Sequence, residues 1–452
     1  MTQHKHWSRR DFLRGALAAS AGYSTRGTAL SLLAATQAAA AVTPVNNDYR
    51  ALICVFLSGG NDGYNMLIPT DTARYATYKT ARGNLALPTS SLLTLTGGNY
   101  GLPTRADGLA NLYNKGQLAF VANVGTLLQP TTKKDYQTRS HLPAQLFSHS
   151  DQSDQSMSSE PDALQRVGWG GRMADLLSSS NTGLLPLGIS LAGNNLLQLG
   201  DTSVPYYMSS SGVTRFNVTS TDPKEPRTRA FNKLLALAAA DTNILRSQLA
   251  VSVQHSIDLS DLLVNGLSKS SAGSGTWSVT SISQQLKMVA KMISIRQSLG
   301  MKRQVFFVTQ YGYDTHSSQL GQHDALMNDL SDALSSFHLA MDELGVGDKV
   351  TSFTMSDFGR TLTSNGDGSD HAWGNIQLVA GGAVAGGKVY GKFPDQTIDG
   401  NDDSGYGRLI PTTSIEQYAA TLARWFGVDD TGLQTVFPHL SRFASANLGF
   451  MG

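Results

Sequence analysis

The 452-residue chain contains a single cysteine, Cys54, and this scarcity excludes a disulfide bond within one chain. Cys54 lies inside an apolar run, where a thiol most often packs as a small hydrophobic side chain. Long apolar runs are also lacking. None approaches the roughly 20 residues that a membrane-spanning helix needs, so we expect no stable membrane span in the folded protein.

A strong excess of either charge is lacking as well. The formal net charge is +1, and residues 1–41 hold five basic residues against one acidic residue, which leaves −3 for residues 42–452. Proteins that bind nucleic acids usually gather basic side chains to neutralise phosphates. The charge distribution therefore argues against a nucleic acid partner.

A pair of arginines, Arg9 and Arg10, stands near the start of the chain within the sequence SRRDFLR. This pattern resembles the twin-arginine export signal of bacteria. A weakly apolar region and an A-x-A type cleavage site at residues 38–41 follow it. We expect residues 1–41 to be a signal peptide, and residues 42–452 to be one folded, periplasmic or secreted bacterial domain exported by this route.

Five apolar, β-branched runs predict buried strands. Near-continuous apolar strands that alternate with helices favour an α/β fold with a mostly parallel sheet covered on both faces. The runs are residues 51–57, 118–124, 305–309, 350–355 and 376–380.

Helical periodicity is clearest in the second half of the chain. Apolar residues three and four apart from Leu320 to Leu344 predict an amphipathic helix that stops at Gly345. A terminal helix is expected to open at Ser414 and to end at Gly427.

A second helical region is predicted between residues 209 and 300. It comprises a long helical stretch over about 228–266, a Ser/Gly linker at 269–278 and a helix over about 281–299. We interpret residues 209–300 as a helical insertion, either a separate cap or an elaboration of one domain.

Acidic and imidazole side chains stand in the loops at the ends of the predicted strands. Because ligands gather at the carboxyl ends of parallel strands, we expect these side chains to meet. Carboxylate and imidazole donors suit Zn, Mn or Fe better than Ca. The metal-ligand candidates are Asp62, Asp314, His316, Asp357, Asp370 and His371, and Arg360 lies among them.

Each candidate also has an ordinary structural interpretation. Asp62 between Asn61 and Gly63 fits turn chemistry. Asp314 fits a helix N-cap, and Asp357 fits an ion pair with Arg360.

A further cluster begins at Ser140-His141, just before the apolar stretch 142–147. A helix over that stretch would place Ser140 at its N-terminus, where an attacked anionic group is favoured. Ser140 is therefore a candidate nucleophile, with a plain N-cap as the alternative. His141 or His149 is the candidate proton donor.

Several segments together resemble the domain-of-unknown-function family 1501, in the family's order and over the whole chain after the signal. That family is similar to the alkaline phosphatase and sulfatase superfamily, which implies a three-layer α/β/α sandwich around a mostly parallel sheet. The segments are LSGGNDGYN (57–65), residues 116–125, RSH (139–141), GWGGR (168–172), YDTH (313–316), SDFGRT (356–361) and SDHAWG (369–374).

The resemblance also implies roles for individual residues. Asp62 matches a metal-binding aspartate, Asp314 and His316 match the next metal motif, and His371 falls near the final ligand. Phe358 departs from the pattern, because it stands where the superfamily carries the histidine of Asp-His-Gly. This departure leaves three alternatives for the divalent metal site of one or two ions: Asp370 replaces the missing ligand, only one ion binds, or none binds.

Two functions follow from this resemblance. The first is an exported metal-dependent hydrolase that takes a small anionic phosphate or sulfate ester, with Arg360 or Arg172 neutralising the leaving anion. The second is a non-catalytic binding or assembly protein of the cell envelope, working with another exported protein, that keeps the fold without the chemistry.

Overall fold

Twelve strands and twelve α-helices make up the regular structure of the computed structural model, which describes residues 48–164, 166–213, 222 and 224–452. The strands are β1 (Arg50–Ser58), β2 (Ile68–Pro69), β3 (Leu92–Thr94), β4 (Tyr100–Pro103), β5 (Leu118–Gly125), β6 (Gly188–Ser190), β7 (Tyr206–Tyr207), β8 (Arg303–Tyr311), β9 (Val350–Ser356), β10 (Asn375–Ala380), β11 (Val389–Tyr390) and β12 (Thr413–Ser414).

Nine of these strands form one sheet in the order β11-β5-β10-β9-β1-β8-β6-β7, with β12 also paired to β5. All pairings in this sheet are parallel except those of β10, which is antiparallel to both β5 and β9. A separate small sheet has the order β2-β4-β3. The main sheet is therefore mostly parallel, with one reversed strand between β5 and β9.

Helices cover both faces of the main sheet. They are α1 (Gly63–Met66), α2 (Thr72–Arg82), α3 (Asp107–Asn114), α4 (Lys133–Thr138), α5 (His149–Ser158), α6 (Trp169–Leu177), α7 (Pro226–Ala239), α8 (Ile244–Leu267), α9 (Ser281–Ser294), α10 (Gln319–Glu343), α11 (Ile415–Phe426) and α12 (Asp430–Val436). Residues of α3, α9 and α10 share one apolar core, whereas residues of α6, α11 and α12 share the other. The predicted three-layer α/β/α architecture is confirmed.

Strand β1 is buried on both faces of the sheet, which explains why its residues 51–57 are all apolar. Successive side chains of a strand point to opposite faces of the sheet. Ile53 and Val55 accordingly enter the core with α9 and α10, while Cys54 and Phe56 enter the core with α11. A strand buried on both faces has no position left for polar side chains.

The predicted strand runs all correspond to strands of the main sheet, and two predicted helices agree closely with the structure. Helix α10 covers the expected stretch after Leu320. Helix α11 begins with a capping box in which Ser414 and Gln417 bond to each other's backbone, and it ends at Gly427 with φ +119°. Only glycine adopts such a conformation at no steric cost.

The helical region after residue 209 differs from the prediction. The expected long helix over 228–266 is wrong, because α7 and α8 are separate helices that pack against each other. Asn243 caps α8 by accepting from the backbone N–H groups of Leu245 and Arg246, which makes a new helix start there. Helix α9, by contrast, packs on β8 within the main core.

Across the described ranges, every helix is too short or too polar to span a bilayer. The twin-arginine motif and the cleavage site lie before residue 48, outside the described residues.

Candidate metal centre

The reversed strand β10 brings the candidate residues to one edge of the sheet. Strands β1, β8 and β9 are parallel, so the loops that follow them lie at the same edge. Because β10 is antiparallel to β9, its beginning lies at that edge, together with the preceding loop that carries Asp370 and His371. Strand β5 is also antiparallel to β10, so its carboxyl end leads there too.

The chain between β5 and α5 does not fold as predicted. The expected helix over 142–147 is wrong, because this stretch forms turns and α5 begins only at His149. Gln145 and Phe147 have φ values of +49° and +71°, which a right-handed helix cannot contain. Ser140 consequently occupies neither a helix N-terminus nor an N-cap position.

Four side chains, His149, Asp314, His316 and His371, converge at the sheet edge; we call them the histidine cluster. Oδ1 of Asp314 lies 3.0 Å from Nε2 of His316, 3.3 Å from Nε2 of His371 and 3.6 Å from Nε2 of His149. Nε2 of His371 lies 2.9 Å from that of His316 and 3.1 Å from that of His149. Three imidazole nitrogens therefore surround one carboxylate oxygen.

The hydrogen on His371 can be placed from its second ring nitrogen. Nδ1 of His371 lies 2.9 Å from the carbonyl oxygen of Phe147. A carbonyl oxygen only accepts, so Nδ1 carries the hydrogen and the neutral ring presents the Nε2 lone pair to the cluster. Burial lowers the pKa of His371, and the nearby His149 and Arg360 lower it further. The hydrogen bond to Phe147 and the charge of Asp314 raise the pKa, but the overall shift is downward, so the neutral ring is favoured.

Carboxylates hold the other two imidazoles in the same way. Nδ1 of His149 donates to Oδ2 of Asp357 at 2.5 Å, and Nδ1 of His316 donates to Oδ1 of Asp370 at 3.1 Å. Metal-binding histidines almost always donate their outer N–H to a carboxylate or carbonyl oxygen. All three imidazoles of the cluster have that arrangement.

Arg360 supports the carboxylate at the centre of the cluster. Its Nη1 donates to Oδ1 of Asp314 at 3.0 Å, while its other N–H groups donate to the Ser369 carbonyl and hydroxyl oxygens. Burial raises the pKa of Asp314, but the hydrogen bond and charge of Arg360, with His316 and His149, outweigh it and lower the pKa overall. Asp314 is thus an anion, and Arg360 pairs with it rather than with Asp357.

Asp62 has a different set of partners. Its side chain caps α1 by accepting from the backbone N–H of Asn65 at 3.2 Å, and its Oδ2 accepts from Arg82 and Gln319. Neither Asp62 nor Arg82 exposes any side-chain surface. Asp62 therefore sits in a buried ion pair at the end of β1, with both oxygens occupied.

A chain of hydrogen bonds joins this buried pair to the histidine cluster. Gln319 donates to Asp62 and accepts from the Ser369 hydroxyl, which in turn accepts from Nε of Arg360 at 3.2 Å. Arg360 then reaches Asp314. The two predicted ligands Asp62 and Asp314 therefore do not meet at one site. Three side chains, those of Gln319, Ser369 and Arg360, lie between them.

Phe358 packs against the cluster. Its ring centroid lies 4.7 Å from the ring centroids of both His149 and His371, and the side chain is almost wholly buried. Position 358 therefore supplies apolar support to two imidazoles.

The remaining candidates make local contacts. The Ser140 hydroxyl lies 2.8 Å from Nδ1 of the exposed His141, and the Ser140 N–H donates to the Asp135 carbonyl. Arg172 is a buried residue of α6, and it donates to Glu160 and to the Val436 carbonyl.

His149 is the member of the cluster that sequence reasoning placed only as a proton donor. The sequence around His149 contains no local pattern that predicts its contact with His371, 222 residues away. The structure brings His149, Asp314 and His371 within 4.8 Å of one another, adds His316 through its contacts with Asp314 and His371, and sets Asp357 and Asp370 behind the imidazoles.

A family model described as a protein of unknown function, DUF1501, matches residues 49–437 of the chain. No curated protein matches the chain in sequence.

Solved structures with a similar arrangement share little sequence with this chain. They include the sulfatase PsFucS1 from Pseudoalteromonas sp., at 12% identity over 88% of this chain and 72% of that chain, with a TM-score of 0.35. The soluble domain of lipooligosaccharide phosphoethanolamine transferase A from Neisseria meningitidis has 8% identity, coverage of 85% and 90%, and a TM-score of 0.34. The C-terminal periplasmic domain of EcEptC from Escherichia coli, in complex with Zn, has 10% identity, coverage of 75% and 77%, and a TM-score of 0.30. Similarity at this level carries no inference about activity.

Proposed function

The chain belongs to the DUF1501 family of proteins of unknown function, and we propose that this member is an exported, metal-dependent hydrolase of phosphate or sulfate esters. The observation that carries the proposal is the convergence of three Nε2 atoms on Asp314. Adjacent Nε2 atoms in the cluster lie 2.9 and 3.1 Å apart, a spacing that either a shared hydrogen or a bound cation stabilises. Together with the carboxylate oxygen of Asp314, they form a donor set of the kind that divalent metal ions bind.

One ion is expected, held by His149, Asp314 and His371, whose ligand atoms all lie within 4.8 Å of one another, with His316 beside them as a further imidazole. Nitrogen and oxygen donors of this kind suit Zn, Mn or Fe. Such an ion supplies Lewis-acid chemistry for ester hydrolysis. Asp357, Asp370 and the Phe147 carbonyl orient the imidazoles, and Arg360 keeps Asp314 ionised and in place.

Elemental analysis of the protein purified in its folded form tests the metal site. We expect about one equivalent of Zn, Mn or Fe in the wild type, and loss of that metal in His371→Ala and Asp314→Ala variants. His141→Ala is the matched control, since this exposed histidine bonds to Ser140 and is not a member of the histidine cluster, so the metal content should stay unchanged. A wild-type protein without a stoichiometric transition metal contradicts the proposal.

Aryl phosphate and aryl sulfate esters test the reaction class. We expect metal-dependent release of the aryl alcohol from one of the two ester types. Ser140→Ala identifies the attacking group: activity is lost if Ser140 is the nucleophile, with His141 as its proton donor, and is retained if water attacks.

The non-catalytic alternative has its own support. Both oxygens of Asp62 are occupied by α1, Arg82 and Gln319, and Phe358 fills a position where the superfamily carries a histidine. A protein that retains its metal but hydrolyses neither ester type would favour a binding or assembly role with another exported protein.

A further inference from the structure

A tight turn over residues 404–408 lies beside the histidine cluster. Two hydrogen bonds tie it to the loop after β9: the Leu362 N–H donates to the Gly407 carbonyl at 3.0 Å, and the Thr363 hydroxyl donates to the Tyr406 carbonyl at 2.7 Å. The position of this turn relative to the cluster is therefore fixed by the backbone.

Tyr406 is held at the tip of this turn in an unfavourable conformation. Its φ is +60°, which is an outlier for a bulky side chain, and 72% of its surface is exposed. Backbone strain of this kind persists where surrounding contacts enforce it, and it is concentrated at ligand-binding positions. The turn thus presents an aromatic ring to solvent at a conformational cost.

Arg408 connects the turn to a member of the cluster. Its Nε donates to the carbonyl oxygen of His371 at 3.1 Å, and its guanidinium carbon lies 4.6 Å from the Phe147 ring and 5.4 Å from the Tyr406 ring. Within the described ranges, neither Nη atom of Arg408 has a hydrogen-bond or ion-pair partner. Two aromatic rings and one carbonyl therefore hold the guanidinium, while its outer N–H groups remain available.

Arg360, the other cation near the cluster, differs in this respect. It is wholly buried and donates to Asp314, to Ser369 and to the Gly59 carbonyl. An incoming anion would have to break those bonds to reach Arg360. Arg408 is half-buried and offers free donors in the fork geometry that matches phosphate or sulfate oxygens.

We propose that Arg408 and Tyr406 form the substrate-binding subsite beside the metal centre. Arg408 binds the free oxygens of the phosphate or sulfate group, and the Tyr406 ring packs against the organic group that the ester carries. This inference rests on the proposed function for the identity of the anion, but the subsite itself is built from residues outside the histidine cluster.

Isothermal titration of the protein with inorganic phosphate and with inorganic sulfate tests the subsite. Arg408→Gln should weaken binding of the preferred anion roughly 10- to 100-fold, because charge-assisted hydrogen bonds are lost. Arg408→Lys should recover part of the affinity. Tyr406→Asn, which tolerates positive φ, should leave inorganic anion binding nearly unchanged but weaken binding of an aryl phosphate or aryl sulfate.

Arg296→Gln is the matched control. Its guanidinium also stacks on an aromatic ring, at 5.1 Å from Tyr49, and donates to a backbone carbonyl. This substitution should leave anion affinity unchanged, and the metal content of every variant should equal that of the wild type.

The same titrations on metal-free protein separate this inference from the proposed function. If the wild type holds no metal but binds an anion through Arg408, the hydrolase proposal fails and the subsite stands. If metal-loaded protein binds phosphate or sulfate equally well with and without Arg408, the subsite is refuted. Absence of anion binding by the wild type in both states refutes it as well.

Discussion

Asp62 and Arg82 form an ion pair in which neither side chain exposes any surface to solvent. The pair also receives a hydrogen bond from Gln319. Removing one partner of such a pair leaves an uncompensated charge in the protein interior, so Arg82→Met should lower the free energy of unfolding by about 3–5 kcal/mol. Equilibrium unfolding in urea measures this loss, provided that both proteins show the same dependence of unfolding free energy on urea concentration.

The exposed ion pair between Arg105 and Asp324 provides the comparison. Arg105→Met should change the free energy of unfolding by less than about 1 kcal/mol, because solvent screens both charges. The double variant Asp62→Asn/Arg82→Met should be more stable than Arg82→Met alone. An Arg82→Met variant as stable as Arg105→Met would contradict the assignment of Asp62 to a buried pair.

Asp357 should act on metal affinity through His149. Its Oδ2 accepts from Nδ1 of His149 at 2.5 Å, so Asp357→Asn keeps the volume but removes the charge that polarises the imidazole. We expect metal affinity to fall roughly 10- to 100-fold, as is usual for outer partners of metal-binding histidines. Competition with a chelator of known affinity measures the change. Asp367→Asn, on an exposed turn, should have no effect.

Gly60 should not tolerate a side chain. Its φ is +84°, and an added Cβ would lie 2.5 Å from Cε2 of Phe358. Gly60→Ala should therefore cost roughly 1–3 kcal/mol for overpacking in addition to the backbone cost, as measured by thermal or chemical unfolding.

Gly98 separates these two costs. Its φ is +71°, but a Cβ there would meet open space, so Gly98→Ala carries the backbone cost alone. Because Phe358 packs on His149 and His371, Gly60→Ala should also weaken metal binding, and Gly98→Ala should not. Equal stability of the two variants would show that the Phe358 ring moves away from the added methyl group without loss of stability.

Glu416 should make stability fall with rising pH. Burial of this side chain in α11 raises its pKa from 4.5 to about 8. A raised pKa means that the folded state keeps a proton that the unfolded state has lost, so the contribution is complete below about pH 4.5 and is lost as pH rises to about 8. The contribution of Glu416 to the free energy of unfolding, measured as the difference between the wild type and Glu416→Gln, should decrease by about 1.4 kcal/mol per pH unit within that window.

Glu416→Gln should remove this slope, which denaturant unfolding at a series of pH values detects. Glu343→Gln is the control, because hydrogen bonds from Ser274 lower the pKa of Glu343 below the window. A wild-type slope that persists in Glu416→Gln would assign the proton to another group.

The sequence predicts the layers of this protein better than its site. Strands such as β1 are buried on both faces, so a continuous apolar run identifies them, and the 3.6-residue period of α10 is equally direct. The direction of β10 depends on its neighbours, and nothing within residues 375–380 encodes it.

Site residues were predictable as strand-end polar groups but not by their partners. The sequence places Asp62 and Asp314 in equivalent loops, yet Arg82, the last residue of α2, pairs with Asp62, whereas Arg360 pairs with Asp314. Likewise, α5 begins at His149, and this side chain meets His371, which lies 222 residues away in the chain. Such long-range packing leaves no local pattern.

The two imidazoles of His149 and His371 are 222 residues apart in the chain, and β10, which follows His371, is the strand inserted between β5 and β9. While β10 is still inside the ribosome, the emerging chain lacks His371 as a donor, and its sheet lacks the strand that separates β5 from β9. It cannot assemble the donor set of the proposed metal site at any metal concentration. The proposed site therefore depends on nearly the whole length of the chain, and it can form only when the main sheet has received its reversed strand.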